Sequence, residues 1–368
     1  MSTTGKIRVA VLFGGRSAEH EVSITSARSL LQAIDRDKYD VTMIPITKEG
    51  RWLHASEAPQ VLEAGIAEGE FSGSPLVTVG SDEPAPHMDV VFPLLHGPFG
   101  EDGTVQGFLE LAGVAYVGSG VLGSAVGMDK EMMRRALRAE SLPTVESVTV
   151  LRSRWRAHAS SVQADIETRF SYPVFVKPAN MGSSVGISKV ADQHGLRRAM
   201  DEAARYDRKI IVEADAGLCR EVECAVLGYE DPQVSVVGEI ISAGEFYDYK
   251  AKYVADSSEL IIPANLGKET TETVQEFSRR AFLAVEACGL ARVDFFVAAG
   301  GEVIVNEINT MPGFTPISMY PKLWEASGVS YGDLIDQLIQ LALQRHADKQ
   351  DMTVEGGTAL PAASQGGG

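Results

Sequence analysis

Arg292–Ser318 reads RVDFFVAAGGEVIVNEINTMPGFTPIS. Val293–Ala298 and Glu302–Ile308 are rich in β-branched and aromatic residues, and Gly300–Gly301 between them accepts positive φ freely. The pattern predicts an antiparallel hairpin. A two-residue turn sets Asp294 opposite Glu307, and Arg292 opposite Asn309 one period-two step along the same face. Facing carboxylates repel, so the pairing needs a cation or a proton between them. Asp294, Glu307 and Asn309 supply the carboxylate and amide oxygens that a hard divalent ion takes. An acidic, solvated edge hairpin is the other reading of the same residues.

The 368 residues are 45% hydrophobic and 23% charged, which at about 150 residues per domain gives two or three domains with ample core. A net charge of −17 and a pI near 4.9 argue against a nucleic-acid or anionic-membrane surface, but not against a local basic site for a nucleotide. Cys219, Cys224 and Cys288 form no CxxC pair, so neither a disulfide scaffold nor a zinc site is indicated, and they fit a reducing cytosol. Ile7–Phe13 breaks at Gly14–Gly15 as a first strand does, and is too short for a signal peptide. No run reaches the ~18 apolar residues of a membrane span. A soluble, cytoplasmic protein is expected.

Residues 1–127 alternate strand and helix signals and read as an open α/β domain. Strands are expected at Ile7–Phe13, Tyr39–Thr47 and Asp89–Leu95, and helices at Ala18–Ile34, with Ser17 as N-cap, and at Thr104–Ala112. Ligands in such sheets gather beyond the carboxyl ends of strands, where Ser17–Glu21 and His96–Asp102 fall. GGRSAEHE lacks GxGxxG spacing, so no dinucleotide site is assigned there. Residues 128–228 read as a smaller α+β lobe: a helix from Met128 to Ala139, an uninformative polar stretch Leu151–Arg169, a strand–loop–strand at Tyr172–Val190, a helix at Gly195–Tyr206, and strands at Lys209–Glu213 and Glu221–Leu227. Residues 229–348 form the last lobe, with a strand at Val234–Ile241, a long loop Ala243–Ser258, a helix near Thr270–Cys288, the hairpin, and a closing helix near Tyr331–Ala347. Residues 349–368 read as a disordered tail.

KPANMGSSVG places Lys177 at a strand end before small residues whose backbone N–H groups can approach an anion. The lysine precedes the glycines, so this is not a Walker A loop; phosphate binding and a plain turn between strands are the two readings.

Six segments then fall in one order: GGRSAEHEVS (Gly14–Ser23), HGPFGEDG (His96–Gly103), MDK (Met128–Lys130), KPANMGSSVG (Lys177–Gly186), YDYKAKY (Tyr247–Tyr253) and RVDFF with NEINTMPG. Along nearly its whole length the chain resembles the D-alanine–D-alanine ligases of the ATP-grasp superfamily. The resemblance implies an α/β protein in which an N-terminal open α/β domain precedes two α+β lobes enclosing ATP. It implies an ATP-dependent ligase joining two D-alanines through a D-alanyl phosphate, for peptidoglycan synthesis, cell-wall biogenesis and cell shape. Asp294, Glu307 and Asn309 would hold two Mg2+ ions, with Mn2+ as a substitute. Lys130 and Lys177 would meet the α/β-phosphates, Glu213 the adenine edge, Glu221 the ribose, and Lys252 the nucleotide; Ser183–Ser184 would cap the γ-phosphate. Glu19 would bind the ammonium of the first D-alanine beside His96 and would form a domain-linking triad with Ser183 and Tyr253. Arg292 and the Gly313 N–H would stabilise the oxyanion, while Ser318 and the Met319 backbone would take the second carboxylate. A homodimer is implied, with neither nucleic acid nor membrane as partner.

Single residues carry blander readings: His96 as a structural loop histidine, Lys130 as a solvated helix charge, Tyr253 as a packed aromatic, Glu101 and Asp102 as loop acids. Glu19 near a helix start could serve the helix dipole, worth about 0.3–1 kcal/mol. Two rival functions remain at this point. One is a depsipeptide ligase joining D-alanine to D-lactate, which Tyr253 disfavours; the other is a non-catalytic ATP-binding module, which would lack a metal ligand or Arg292.

Overall fold

The structure, a computed structural model, describes residues 5–64, 88–242 and 258–352. Near the N-terminus, β1 (Ile7–Gly14), β2 (Tyr39–Ile46), β3 (Val90–Leu94) and β4 (Ala115–Tyr116) form a parallel sheet in the order β2-β1-β3-β4. β1 is apolar on both faces because both are covered. Val9, Val11 and Phe13 pack with Ile24, Ala27 and Leu30 of α1 (His20–Ala33) and Val61 of α2 (Ala58–Ala64), and Ala10 and Leu12 with Val105 and Leu109 of α3 (Thr104–Leu111). Both polar clusters leave the carboxyl edge of this sheet, as expected. α1 starts two residues later than Ala18, because the chain is still turning at Gly14 and Gly15, with φ of +91° and +88°. Its N-cap is Glu19, not Ser17, and Ser17 Oγ accepts the Glu19 N–H at 3.2 Å instead.

The helix expected over Met128–Ala139 is α5 (Lys130–Ala139), and Met128 instead ends a separate helix, α4 (Val121–Met128). Asp129 separates them with ψ of 101° and caps α5 by accepting the N–H groups of Glu131 and Met132. The second sheet, in the order β5-β8-β6-β7, is antiparallel and contains β5 (Ser147–Leu151), β6 (Val174–Pro178), β7 (Ser188–Val190) and β8 (Lys209–Ala214). The stretch that looked uninformative is α6 (Arg152–Arg169), buried through Trp155, Val162 and Ile166. With α7 (Gln193–Tyr206) it covers one face of the sheet, where Val174, Val176, Ile210 and Val212 point. Lys177, Ile211 and Glu213, one step out of phase, point to the opposite face.

The third sheet, in the order β11-β10-β9-β12-β13, holds β9 (Cys219–Gly228), β10 (Gln233–Ser242), β11 (Ser258–Ile261), β12 (Gly289–Ala298) and β13 (Val303–Asn309). The strand expected over Glu221–Leu227 therefore lies here, between β10 and β12, rather than in the lobe before it. α8 (Lys268–Ala284) buries Val274, Ala281 and Phe282 against Val222, Cys224, Val293 and Phe295. By period two, Glu221, Glu223 and Asp294 face away from that core. α9 (Met319–Ala326) and α10 (Tyr331–Gln350) join this sheet to the first one: Leu334, Ile335 and Leu338 share a core with Val9, Val11 and Leu290. The Tyr39 hydroxyl donates to Asp336 at 2.5 Å across the same contact.

The hairpin is β12–β13, and its register sets Asp294 against Glu307 and Arg292 against Asn309, as expected. The turn differs. Ala298 N–H donates to Glu302 O and Gly301 N–H to Ala298 O, both at 2.9 Å, which makes a three-residue loop with Gly301 at φ +87°. A bulge at Asn306 supplies the extra residue that restores the pairing beyond Phe295. A Cβ at Gly301 would meet only Thr270 Oγ1 at 3.5 Å, so Gly301→Ala isolates the left-handed strain. It should destabilise the protein by about 1–2 kcal/mol in urea unfolding, whereas Gly300→Ala, in open space, should be neutral or slightly stabilising. Equal effects of the two substitutions would contradict this turn.

Candidate active site

β9, β12 and β13 carry a row of three carboxylates: Glu223 pairs with Asp294 in one ladder, and Asp294 with Glu307 in the next. The next row on this face contains Ala225, Arg292 and Asn309. Arg292 binds Asp294 through two hydrogen bonds, Nε to Oδ1 and Nη2 to Oδ2, each 2.7 Å, and its Nε lies 2.9 Å from Glu223 Oε2. Asn309 Nδ2 donates to Asp294 Oδ2 at 3.2 Å. Lys130 Nζ reaches Glu307 Oε2 at 3.4 Å and donates to Met181 O at 2.9 Å. Lys130 is thus a buried residue joining α5, the glycine-rich loop and the hairpin, not a solvated helix charge. The oxygen-only donors of this face fit a hard divalent ion by their chemistry. Among the described residues no three His, Cys, Asp or Glu side chains already converge on one point, and Arg292 and Lys130 stand between the carboxylates.

Facing this row across a cleft of 560 Å³ is the open face of the second sheet. The cleft gathers Lys130, Lys177, Ser183, Ser184, Glu213, Glu221, Asp294 and Glu307, eight residues singled out by sequence, from both lobes. At its base Lys177 Nζ lies 2.6 Å from Glu213 Oε2, and Arg134 Nη2 donates to Glu213 Oε1 at 2.5 Å. Burial alone would raise the Glu213 carboxyl, but Lys177 and Arg134 outweigh it and hold the group below the usual carboxylate range. Burial lowers the Lys177 ammonium, Glu213 opposes this, and Arg134 adds to the lowering. The chemistry suits a bound polyanion: two cations on the floor, and small residues above, with Ser183 and Ser184 at φ +50° and +60°.

At the rim of the cleft, Ser183 Oγ donates to Glu19 Oε1, closing the glycine-rich loop onto the N-terminal sheet. A Cβ on Gly182 would lie 3.6 Å from Glu19 Oε2, and one on Gly97 3.8 Å from the same oxygen, so Glu19 sits between both loops. His96 Nδ1 is 2.9 Å from Met311 O. Since a carbonyl only accepts, Nδ1 donates this bond, and Nε2 is buried without a hydrogen-bond partner among the described residues. Gly313 follows on the same turn, and the Tyr331 hydroxyl fixes that turn by donating to Phe314 O at 2.6 Å. Ser318 occupies the N-cap position of α9 without a side-chain capping bond and shares a hydrogen bond with Thr315 Oγ1 at 2.8 Å, which places Ser318 and the Met319 backbone at a helix N-terminus. Tyr253 and Lys252 lie outside the described residues.

Three residues were missed from sequence. Glu223 is two positions from Glu221 on one strand, and Arg134 four from Lys130 on one helix, so periodicity alone could have placed both beside known candidates. Glu101 gave no such signal. It is 8% exposed, accepts the Gly97 N–H at 2.7 Å, and has its carboxyl raised to about 8. Burial is the main cause and the Glu19 carboxylate adds to it, opposed by the Gly97 and Met311 N–H groups and by Lys130. Asp102 is the loop acid expected, accepting from Phe99 and Thr104.

Known proteins match this chain throughout. The family models described as D-ala D-ala ligase N-terminus and D-ala D-ala ligase C-terminus match residues 8–119 and 136–340. The D-alanine–D-alanine ligase of Acetivibrio thermocellus is 49% identical over 93% of this chain and 97% of its own length. That of Geobacillus thermodenitrificans is 48% identical over 95% and 98%. Among solved structures, the D-alanine-D-alanine ligase from Coxiella burnetii superposes with a TM-score of 0.80 at 37% identity, covering 94% of this chain and 96% of that one. The VanG D-Ala:D-Ser ligase from Enterococcus faecalis gives 0.79 at 35%, covering 92% and 99%.

Glu101 makes the site pH-sensitive in a definite sense. Between the ordinary carboxyl range and about pH 8 the folded state holds a proton that the unfolded chain has lost, so this group's stabilisation falls as pH rises through that window. Glu101→Gln, which mimics the protonated acid, should gain stability over the unmodified protein between pH 5 and 8, by on the order of a few kcal/mol in denaturant titrations. A difference independent of pH would refute the raised carboxyl.

Proposed function

This chain belongs to the D-alanine–D-alanine ligase family, with its ATP-grasp fold, and from that premise we propose how its residues perform ATP-dependent ligation of two D-alanines. The cleft carries the reading: cations, glycine-rich backbone and a carboxylate row meet there from both lobes. The product, D-alanyl-D-alanine, serves peptidoglycan precursor synthesis.

When bound, ATP supplies the phosphoryl group that turns a poor acyl donor into a D-alanyl phosphate, and divalent ions neutralise the phosphate charge. Asp294, Glu307 and Asn309 hold two Mg2+ ions, or Mn2+ in their place. Lys130 and Lys177 orient the α/β-phosphates, Glu213 meets the adenine edge, Glu221 the ribose, and Lys252 the nucleotide. The Ser183–Ser184 loop covers the γ-phosphate and excludes water that would hydrolyse the acyl phosphate. Its contact with Glu19 supports this, because the same carboxylate takes the ammonium of the first D-alanine beside His96. Tyr253 completes the closure. Arg292 and the Gly313 N–H stabilise the oxyanion formed when the second amine attacks, and Ser318 with the Met319 backbone holds that amino acid's carboxylate. Positioning and charge stabilisation do the work, without a covalent enzyme intermediate.

In this reading the chain divides into substrate domain, small lobe and C-terminal lobe at 127/128 and, because β9 pairs within the third sheet, ahead of Cys219 rather than at 228/229. The enzyme acts as a cytoplasmic homodimer, with D-alanine as its small-molecule substrate and neither nucleic acid nor membrane as partner. No described helix is long and apolar enough to cross a membrane.

Phosphate release with Mg-ATP should require D-alanine, fail with L-alanine, and accompany dipeptide formation. Presenting D-serine and D-lactate as competing acceptors tests the specificity, and predominance of either mixed product would overturn it. Glu307→Gln should keep the fold and lose about 10²-fold or more in turnover, ~2.7 kcal/mol of barrier. Turnover near that of the unmodified protein would remove Glu307 from the ion site.

A further inference from the structure

Glu223 has no part in the roles assigned above, yet it lines the cleft and is only 4% exposed. Its cross-strand neighbours define its place. Gly238, Glu223, Asp294 and Glu307 pair in turn across β10, β9, β12 and β13, so their side-chain positions share one face. Asp294 and Glu307, at one end of this row, are the assigned ion ligands. At the other end Gly238 leaves room for α9: a Cβ there would meet Leu323 Cδ2 at 2.9 Å and Met319 Sδ at 3.0 Å. Met319 opens α9, whose start is assigned the carboxylate of the second amino acid. Glu223 therefore stands between the ion end of the row and its acceptor end.

Arg292 enters this row from the one beside it. Its Nε and Nη2 donate to Asp294 Oδ1 and Oδ2, each at 2.7 Å, and Nε also lies 2.9 Å from Glu223 Oε2. The guanidinium is thus held between a carboxylate on the ion side and one on the acceptor side. Asp294 is the more crowded of the two, because Asn309 Nδ2 adds a third donor at 3.2 Å. A carboxylate offers about four acceptor sites, so three N–H bonds nearly fill Asp294. A divalent ion held by Asp294 and Asn309 competes with Arg292 for the same oxygens. Glu223 is the acceptor of Arg292 to which no ion is assigned, and the pair is well shielded, with side chains 12% and 5% exposed.

We propose that Glu223 is the positioning residue of the oxyanion arginine: from the acceptor side it keeps the Arg292 guanidinium in the row while Asp294 serves a divalent ion. The inference rests on the assignment of Arg292 to the oxyanion and of Asp294 to the ion site. Glu223 itself touches neither substrate nor ion, and its whole effect passes through Arg292. A carboxylate beside Asp294 without that partner would only add repulsion to the row. Bound to Arg292, it holds a charge-stabilising donor in place before the second amine attacks, so that no reorganisation is needed as the oxyanion forms.

The test compares Glu223→Ala, Glu223→Gln, Arg292→Met and the double variant Glu223→Ala with Arg292→Met. Turnover, the KM for each D-alanine and affinity for a phosphinate analogue of the tetrahedral adduct are measured for each, together with the unfolding midpoint in ATP with and without Mg2+. Glu223→Ala should lose about 10-fold or more in turnover and in phosphinate affinity, with the KM for the first D-alanine changed less than about three-fold. Its Mg2+ increment in the unfolding midpoint should stay whole. Glu223→Gln keeps an acceptor oxygen for Nε and should recover most of the loss. In the Arg292→Met background Glu223→Ala should change turnover by less than about three-fold, because a residue that acts through another has no further effect once that one is gone. Should Glu223→Ala not fold, Glu223→Asp, one methylene shorter, takes its place throughout. A folded Ala or Asp variant with unchanged turnover overturns the proposal, and so do additive losses in the double variant. Loss of the Mg2+ increment would make Glu223 an ion ligand and overturns it as well. Arg292→Met separates the two levels: if it loses turnover while the Glu223 variants do not, only the positioning role fails. If Arg292→Met also keeps full turnover, the oxyanion assignment fails and the proposal falls with it.

Discussion

Three adjacent strands hold Glu223, Asp294 and Glu307 in one cross-strand row, and like charges held that close repel. At about 5 Å and an effective dielectric near 20, two unit charges interact by roughly 3 kcal/mol, more than the ~0.2–1 kcal/mol of a favourable cross-strand pair. This register survives because the repulsion is answered locally. Arg292 binds two of the three carboxylates, and Lys130, arriving from α5, binds the third. The alternation that points these groups outward also points Val222, Val293 and Phe295 into the core under α8, so a slip of one residue would invert both faces. The hydrophobic core thereby fixes a charged surface that the charges alone would disperse.

The other contacts around the cleft follow from having to bring cations to that row. Lys130 also holds the glycine-rich loop at Met181, and the loop closes on Glu19 through Ser183. Lys177 on the cleft floor and Arg134 buried behind it share Glu213, so this cluster of three carries one net positive charge. The N-terminal sheet is tied back to the hairpin by α10, whose Arg345 donates to Gly118 O and Tyr116 O, and by His96 at Met311. The three sheets contribute to one site because each carries something the carboxylate row or its substrates require.

Sequence made the chemistry legible where it depends on local period and composition. Asp294 opposite Glu307 follows from alternation and a glycine turn, and the structure keeps the pair. It does so by a different route, since a three-residue loop and the Asn306 bulge each displace the register by one and cancel. No local rule exposes a bulge whose side chain looks like any other strand residue. α6 was invisible because its apolar positions, Trp155, Val162 and Ile166, are sparse among charges and are interrupted by non-helical His158. β9 was placed with the wrong sheet because pairing partners are a tertiary property, and with it went the chance to see Glu223 beside Asp294. Glu101 and Asp102 are adjacent acids in one loop, yet one is buried between two segments and the other caps a turn. Only burial in the folded chain distinguishes them.

In the proposed function the carboxylate row holds divalent ions together with nucleotide. The most direct test is the unfolding midpoint with ATP, with and without Mg2+, in the unmodified protein and in Asp294→Asn. Ligand binding to the folded state raises the midpoint by mass action. Mg2+ should add to the stabilisation by ATP in the unmodified protein. In Asp294→Asn the stabilisation by ATP alone should remain, and the Mg2+ increment should largely vanish. A full Mg2+ increment in Asp294→Asn would contradict the account.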